Sequence, residues 1–119
     1  MKSAIITNGR DMPSSFIDPR IRDLLCSAVR ERRVVELRYQ QDGLFRTFEP
    51  HVVYYSTKEN LCTSGTQTKN LNKPLDKSEY RTFDLSEVRE VRLTAATFTP
   101  DPRFNPGDPH YKNGIVCSV

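Results

Sequence analysis

Two histidines, His51 and His110, are all the imidazole this 119-residue chain contains. Neither has a serine, cysteine or aspartate at an informative spacing beside it, so no base and nucleophile pair is legible. Cysteine is scarce as well: Cys26, Cys62 and Cys117 stand far apart, and no Cys-x-x-Cys pair offers a zinc site. An odd number at wide spacings suits reduced, buried thiols better than a disulfide framework. The five glycines form neither of the familiar phosphate-binding loops. No apolar run approaches the roughly 20 residues that cross a bilayer, and residues 1–10 lack the apolar stretch of a secretory signal. These absences argue against an enzyme, a metal or cofactor protein and a membrane protein. A soluble, cytoplasmic chain is expected.

The hydrophobic fraction is 36%, low for a compact globule, and eight prolines imply that part of the chain is extended. The length suits one domain with tails rather than two cores. The net charge of +3 is too mild to name a nucleic-acid partner, but of the 18 basic residues twelve are arginine, the side chain suited to phosphate and base contacts.

Residues 1–17 show no lasting period and read as a loose arm, with Ile5, Ile6, Phe16 and Ile17 available to pack. Asp18 suits a helix N-cap and Pro19 the first helical position. Ile21, Leu24, Leu25, Ala28 and Val29 then fall on one face of an amphipathic helix that ends near Arg33. Arginines at 30, 32 and 33 complement the helix dipole there, so they read as helix termination on a solvated face.

At Val34 the period changes to two. Val35, Leu37 and Tyr39 face one way, Glu36 and Arg38 the other, and Gln41-Asp42-Gly43 supplies a hairpin turn. The return strand runs from about Leu44 to Tyr55 and must bend or bulge at Glu49-Pro50, since proline donates nothing to a ladder. Lys58-Glu59-Asn60 makes the next turn and Leu61 to Gly65 a short strand. Thr66 to Glu79, "TQTKNLNKPLDKSE", is polar and reads as a mobile loop. Tyr80 to Asp84 alternates, Leu85 to Val88 has the length of one helical turn, and Val91, Leu93 and Ala95 resume alternation. The fold class expected is mainly β: a small five-stranded Sm-like or SH3-like barrel with an N-terminal α-helix, spanning residues 18–98. Residues 99–119 form a proline-rich tail whose apolar end, Ile115 to Val119, can dock on this barrel or lend a strand to another copy.

The segments "VVELRYQQDGLFRTFEP" and "YRTFDLSEVREVRLTAATFTP", behind the leading helix, resemble the WYL domain family. Arg81, Phe83 and Leu85 stand in register with its Arg-x-Phe-x-Leu pattern, and the Phe98-Thr-Pro ending is present. The sequence departs from the family where the Trp-Tyr-Leu tripeptide falls on Asn60-Leu61-Cys62, in a chain with no tryptophan. It departs again at Glu87, where an arginine usually stands. The resemblance implies an Sm-like barrel that senses a nucleic acid or nucleotide. Such domains usually sit behind a winged helix in bacterial transcription regulators, and some occur alone or in accessory proteins of phage defence. With no room here for a winged helix beside the barrel, a standalone regulatory module that modulates a protein partner is expected.

The ligand contact implied by the resemblance is Arg81. From strand position, Arg38, Arg46 and Arg92, interleaved with Tyr39 and Tyr55, add a basic track with aromatic platforms for a single strand or nucleotide. The competing reading is that these arginines pair with Glu36, Glu49, Glu87 and Glu90 on a half-exposed sheet. A third reading is an interaction or oligomerisation module without nucleic-acid binding, assembled through edge strands or the C-terminal strand.

Overall fold

The computed structural model describes residues 16–119; Ile5, Ile6 and most of the expected arm lie outside the described residues. Helix α1 (Pro19–Glu31) starts where the Asp18 carboxylate accepts the Arg20 N–H at 2.9 Å. It stops at Arg32, whose left-handed backbone (φ 55°) returns its N–H to Ala28 and Val29. Arg33 already belongs to the next strand, two residues earlier than the helical period suggests. Leu25, Cys26, Ala28 and Val29 are buried on one face, with Ile17, Ile21 and Leu24 packed beside them. Burying a leucine of this kind contributes about 1.5–3 kcal/mol.

Six strands follow: β1 (Arg33–Tyr39), β2 (Arg46–Tyr55), β3 (Leu61–Asn70), β4 (Glu79–Asp84), β5 (Val88–Thr97) and β6 (Ile115–Ser118). They form one antiparallel sheet in the order β4-β3-β2-β1-β5, with β6 on the distal half of β2. A single 3₁₀ turn, Leu85–Glu87, links β4 to β5, with the Asp84 carboxylate accepting the Ser86 N–H. The helix packs on the inner face, where Val35, Leu37, Phe48, Val53, Leu61, Phe83, Leu85, Val88 and Val91 join its apolar side. Among the described residues, no helix is long and apolar enough to cross a membrane.

The bend expected at Glu49-Pro50 is a β-bulge. Pro50 pairs with Gly65 and Val52 with Ser64, so His51 is an extra residue without a partner on β3. Because side chains alternate with period two, one extra residue exchanges the faces of everything beyond it. Phe48 lies in the inner core before the bulge and Val53 after it, while Val52 and Tyr54 turn outward. Gly65 makes the crossing possible, because a Cβ there would collide with the carbonyl oxygen of Glu49 and approach the Pro50 Cα to 3.0 Å.

Three expectations are corrected. The strand after Asn60 does not end at Gly65; β3 runs on to Asn70 and β4 starts at Glu79, leaving only 71–78 as a connection. Polar residues sustain it because their groups are bonded: Gln67 is fully buried, and Asn72 ties the turn to Leu44 through both its amide nitrogen and its oxygen, each at 2.7 Å. The sheet has six strands instead of five, since the apolar end of the tail docks on this chain as β6, paired in cis with β2, and residues 99–119 add a second apolar layer. In that layer Phe104, Tyr111 and Ile115 cover Val52, Tyr54 and Cys62. Finally, the thiols are not all reduced. Cys26 of α1 and Cys117 of β6 form a disulfide with Cα atoms 5.8 Å apart, and Cys62 is the free, buried cysteine. A sequence separation of 91 residues hid this pairing, which arises only when β6 docks over the helix. It also removes the support that reduced thiols lent to a cytoplasmic location.

Two outcomes follow from this architecture. Gly65→Ala is expected to lower stability by about 3 kcal/mol or more, read as a fall of roughly 10 °C in thermal midpoint. Cys117→Ser is expected to cost about 2–5 kcal/mol in urea unfolding, the range for losing a native disulfide, and to abolish the sensitivity of the midpoint to reductant. Cys62→Ser serves as the comparison that keeps that sensitivity.

Candidate functional site

Alternation along three strands brings one polar cluster to the open end of the inner face. On β4, Glu79, Arg81 and Phe83 pair across Gln67, Gly65 and Thr63 of β3, so all share the face of the buried core. Arg46, at the start of β2, sits opposite Leu37 and Asn70 on that face, and Tyr39 closes it from the end of β1. Phe83 is fully buried and stacks edge-on against Phe48 (5.1 Å) and Tyr39 (4.9 Å). Two guanidinium groups lie over its ring, Arg46 at 5.5 Å and Arg81 at 5.6 Å, and Arg46 also lies 5.7 Å from the Tyr39 ring.

A continuous polar chain runs along the rim. Asp42 receives two bonds from Arg46, 2.7 Å from Nε and 3.0 Å from Nη2. Arg46 Nη1 donates to the Gln67 side-chain oxygen at 3.3 Å, the Gln67 amide donates to Glu79 at 3.2 Å, and Arg81 Nη1 donates to the same Glu79 oxygen at 3.2 Å. The two ends of this chain differ in character. The Arg46–Asp42 side chains are only 12% and 10% exposed, whereas Arg81 and Glu79 are 38% and 44% exposed. Arg46 therefore clamps the β1–β2 turn, and Arg81 is the cation that an external anion can reach. Burial alone would raise the Asp42 carboxyl, but hydrogen bonds from Arg46 and the Tyr39 N–H outweigh it and hold it below its ordinary value. Burial pushes the Tyr39 phenol up, against a backbone hydrogen bond from Asp84.

Arg38 and Arg92 are not part of this cluster. They project from the outer face of β1 and β5, where Arg38 opposes Glu90 and Arg92 opposes Glu36 in the register. Both are ion-paired to those carboxylates, at 3.0 and 2.9 Å, and both lie over the Phe45 ring, at 5.8 and 3.9 Å. For these two arginines the charge-pairing reading is the one realised. Glu87, expected as a partner for arginine, instead accepts from the Gln40 amide at 3.0 Å. Tyr55 is at the far end of β2 from Arg46, half-exposed, its N–H bonded to Gly114. Sequence reasoning passed over Asp42, Gln67 and Glu79 as members of the rim and Phe45 as the outer platform. The Arg-x-Phe spacing of β4 was the one signal for the cation over Phe83.

The two histidines belong to the outer layer. His51 is completely buried; its Nε2 accepts the Asp101 N–H at 2.9 Å, so its Nδ1 carries the proton and donates to the Glu49 carbonyl at 2.8 Å. His110 Nε2 lies 3.2 Å from the Tyr54 hydroxyl, which is 2.9 Å from Ser64 Oγ, itself 2.6 Å from Thr82 Oγ1. This chain locks the tail to β2, β3 and β4, and Tyr54 stands between the imidazole and the buried serine. Among the described residues, no group of three metal-ligating side chains is assembled. No family model, curated protein or solved structure matches the chain.

The depressed Asp42 carboxyl sets a pH dependence. Its stabilisation is complete above the unfolded value near 4 and is lost as pH falls through the lower folded value. Asp42→Asn is expected to cost about 2–3 kcal/mol at neutral pH, and the gap from wild type should close progressively below about pH 4 in urea titrations. A gap constant from pH 7 to pH 2.5 would show that the pair contributes nothing through its charge.

Proposed function

We propose that the chain is a regulatory module of the WYL type, folded as a small Sm-like or SH3-like barrel, that takes up a nucleic acid or nucleotide and modulates a protein partner in transcription or phage-defence control. Support for the barrel comes from the meander order β4-β3-β2-β1-β5, the sharp bulge in β2 and the single 3₁₀ turn between β4 and β5. Support for the ligand comes from one observation above the others: Arg81 rests on the Phe83 ring with a single exposed carboxylate partner. An exposed pair of this kind is worth at most about 1 kcal/mol, so a phosphate displaces Glu79 at little cost. The Phe83 ring keeps the guanidinium within cation–π reach while it exchanges partners. Because Phe83 is buried, the site reads the anionic backbone rather than stacking a base. Assembly by strand exchange in trans finds less support, as β6 is paired in cis and bonded to α1.

The test is fluorescence anisotropy with labelled single-stranded RNA and DNA in low and near-physiological salt. Wild type is expected to bind saturably and to weaken with salt. Arg81→Ala is expected to lose about tenfold in affinity and about 0.7 from the log–log salt slope, the share of one single-strand phosphate contact. Arg92→Ala, on the outer face, should bind as wild type does. Absence of binding at low salt, or equal losses in the two variants, would overturn the assignment.

A further inference from the structure

Tyr80 and Arg81 are neighbours on β4 and point to opposite faces. On the outer face, Tyr80 meets the C-terminal segment at a pocket of about 320 Å³ lined by Tyr80, Phe104, Tyr111, Asp101, Asp108 and Arg103. Its size is at the small end of ligand sites, enough for a compact head group or the tip of a side chain.

The wall contributed by the tail is rigid before any ligand arrives. Three successive side-chain turns shape it: Asp101 accepts the Arg103 N–H, Asn105 the Gly107 N–H and Asp108 the His110 N–H, all at 2.8–2.9 Å. The Asp101 N–H is held by buried His51, and Tyr111 is backed edge-on by Tyr54 at 4.8 Å. The Phe104 and Tyr111 rings are 5.8 Å apart and inclined at 50°, so they diverge instead of stacking on each other. Ordering costs that usually weaken small-ligand binding are therefore largely met in folding.

The electrostatics favour a cation. Two carboxylates and one guanidinium line the pocket, and that guanidinium is engaged: Arg103 pairs with Asp101 through Nη2 at 2.8 Å and Nε at 3.1 Å, with its side chain 87% exposed. Asp108 remains as the net negative charge. Burial pushes both tyrosine phenols up, and the fields of Asp101 on Tyr80 and Asp108 on Tyr111 act in the same direction. The rings stay neutral, and a neutral aromatic ring attracts a positive charge through its π face. Asp101, Asn105 and Asp108 already accept hydrogen bonds within the tail, so a methylated ammonium, which needs no acceptor, loses less on entering than a primary amine does.

We propose that the pocket formed by Tyr80, Phe104, Tyr111 and Asp108 binds a quaternary or methylated ammonium group, carried by a free small molecule or by a methylated lysine side chain. Side-chain NMR of the full chain, titrated with choline chloride against sodium chloride at equal ionic strength, tests it. Saturable shifts confined to the Tyr80, Phe104 and Tyr111 rings are expected, with 3,3-dimethylbutanol, the uncharged isostere of choline, at least tenfold weaker. Asp108→Asn, which keeps the turn, should weaken choline about three- to tenfold, and Phe104→Leu about tenfold with the fold checked by the same spectra. A trimethyl-lysine peptide binding tenfold or more tighter than choline identifies a peptide source, and the reverse order a free amine. No ring shifts at 50 mM choline, or equal affinity for choline and its isostere, would overturn the proposal.

Discussion

One unpaired residue in β2 governs the rest of the molecule. By inserting His51 directly after the Pro50–Gly65 crossing, the chain gives a single strand two inner faces in succession. Phe48 serves the helix-covered core and, past the bulge, Val52 and Tyr54 serve a second layer beneath the tail. Without that exchange of parity, Tyr54 would point toward α1 and the tail would have no apolar surface to cover. The extra residue is also the one whose imidazole fixes the tail, accepting from Asp101 on one side and donating to Glu49 on the other. The irregularity in the ladder and the anchoring of residues 99–119 are thus one feature.

The arginine content is largely spent inside the molecule. Eight arginines pair with carboxylates among the described residues, so the net positive charge is not displayed as one basic face. Arg81 and Arg92 each combine an aromatic support with one carboxylate contact, but only Arg81 does so on the inner face, at the rim of the buried cluster. Arg46 has the support without the exposure, and Arg38 and Arg92 share a different ring on a different face. Charge counts alone do not separate these cases; the face on which each side chain emerges does.

Local patterns in the sequence carried most of the fold. The Asp18-Pro19 start, the alternation from Val35 to Tyr39, the bend at Glu49-Pro50 and the short turn at Leu85 all rest on interactions within a few residues, and each is found where the pattern places it. What escaped depended on distant partners. Thr66 to Asn70 is polar and reads as loop, yet Gln67 is buried because Arg46 and Glu79 arrive from other strands to satisfy its amide. Gly65 looks like an ordinary turn residue until Pro50 crosses it. Cys26 and Cys117 lie at opposite ends of the domain, and composition carries no trace of their meeting. The separation of Arg81 from Arg92 likewise needed the register, since both sit in alternating segments with the same local appearance.

The placement of β6 bears on how the protein is made. Strand β2 emerges from the ribosome before β3, β4 and β5, but its distal flank is closed only by β6, which follows all of them. Through that interval the backbone of Val52 to Tyr54 is an open edge, with the apolar side chains of the outer layer uncovered beside it. A sheet that assembles before β6 is available leaves this edge uncovered, and Cys26 stays a thiol until Cys117 arrives. Docking of β6 is therefore the step that covers the distal flank of β2 and its outer apolar layer.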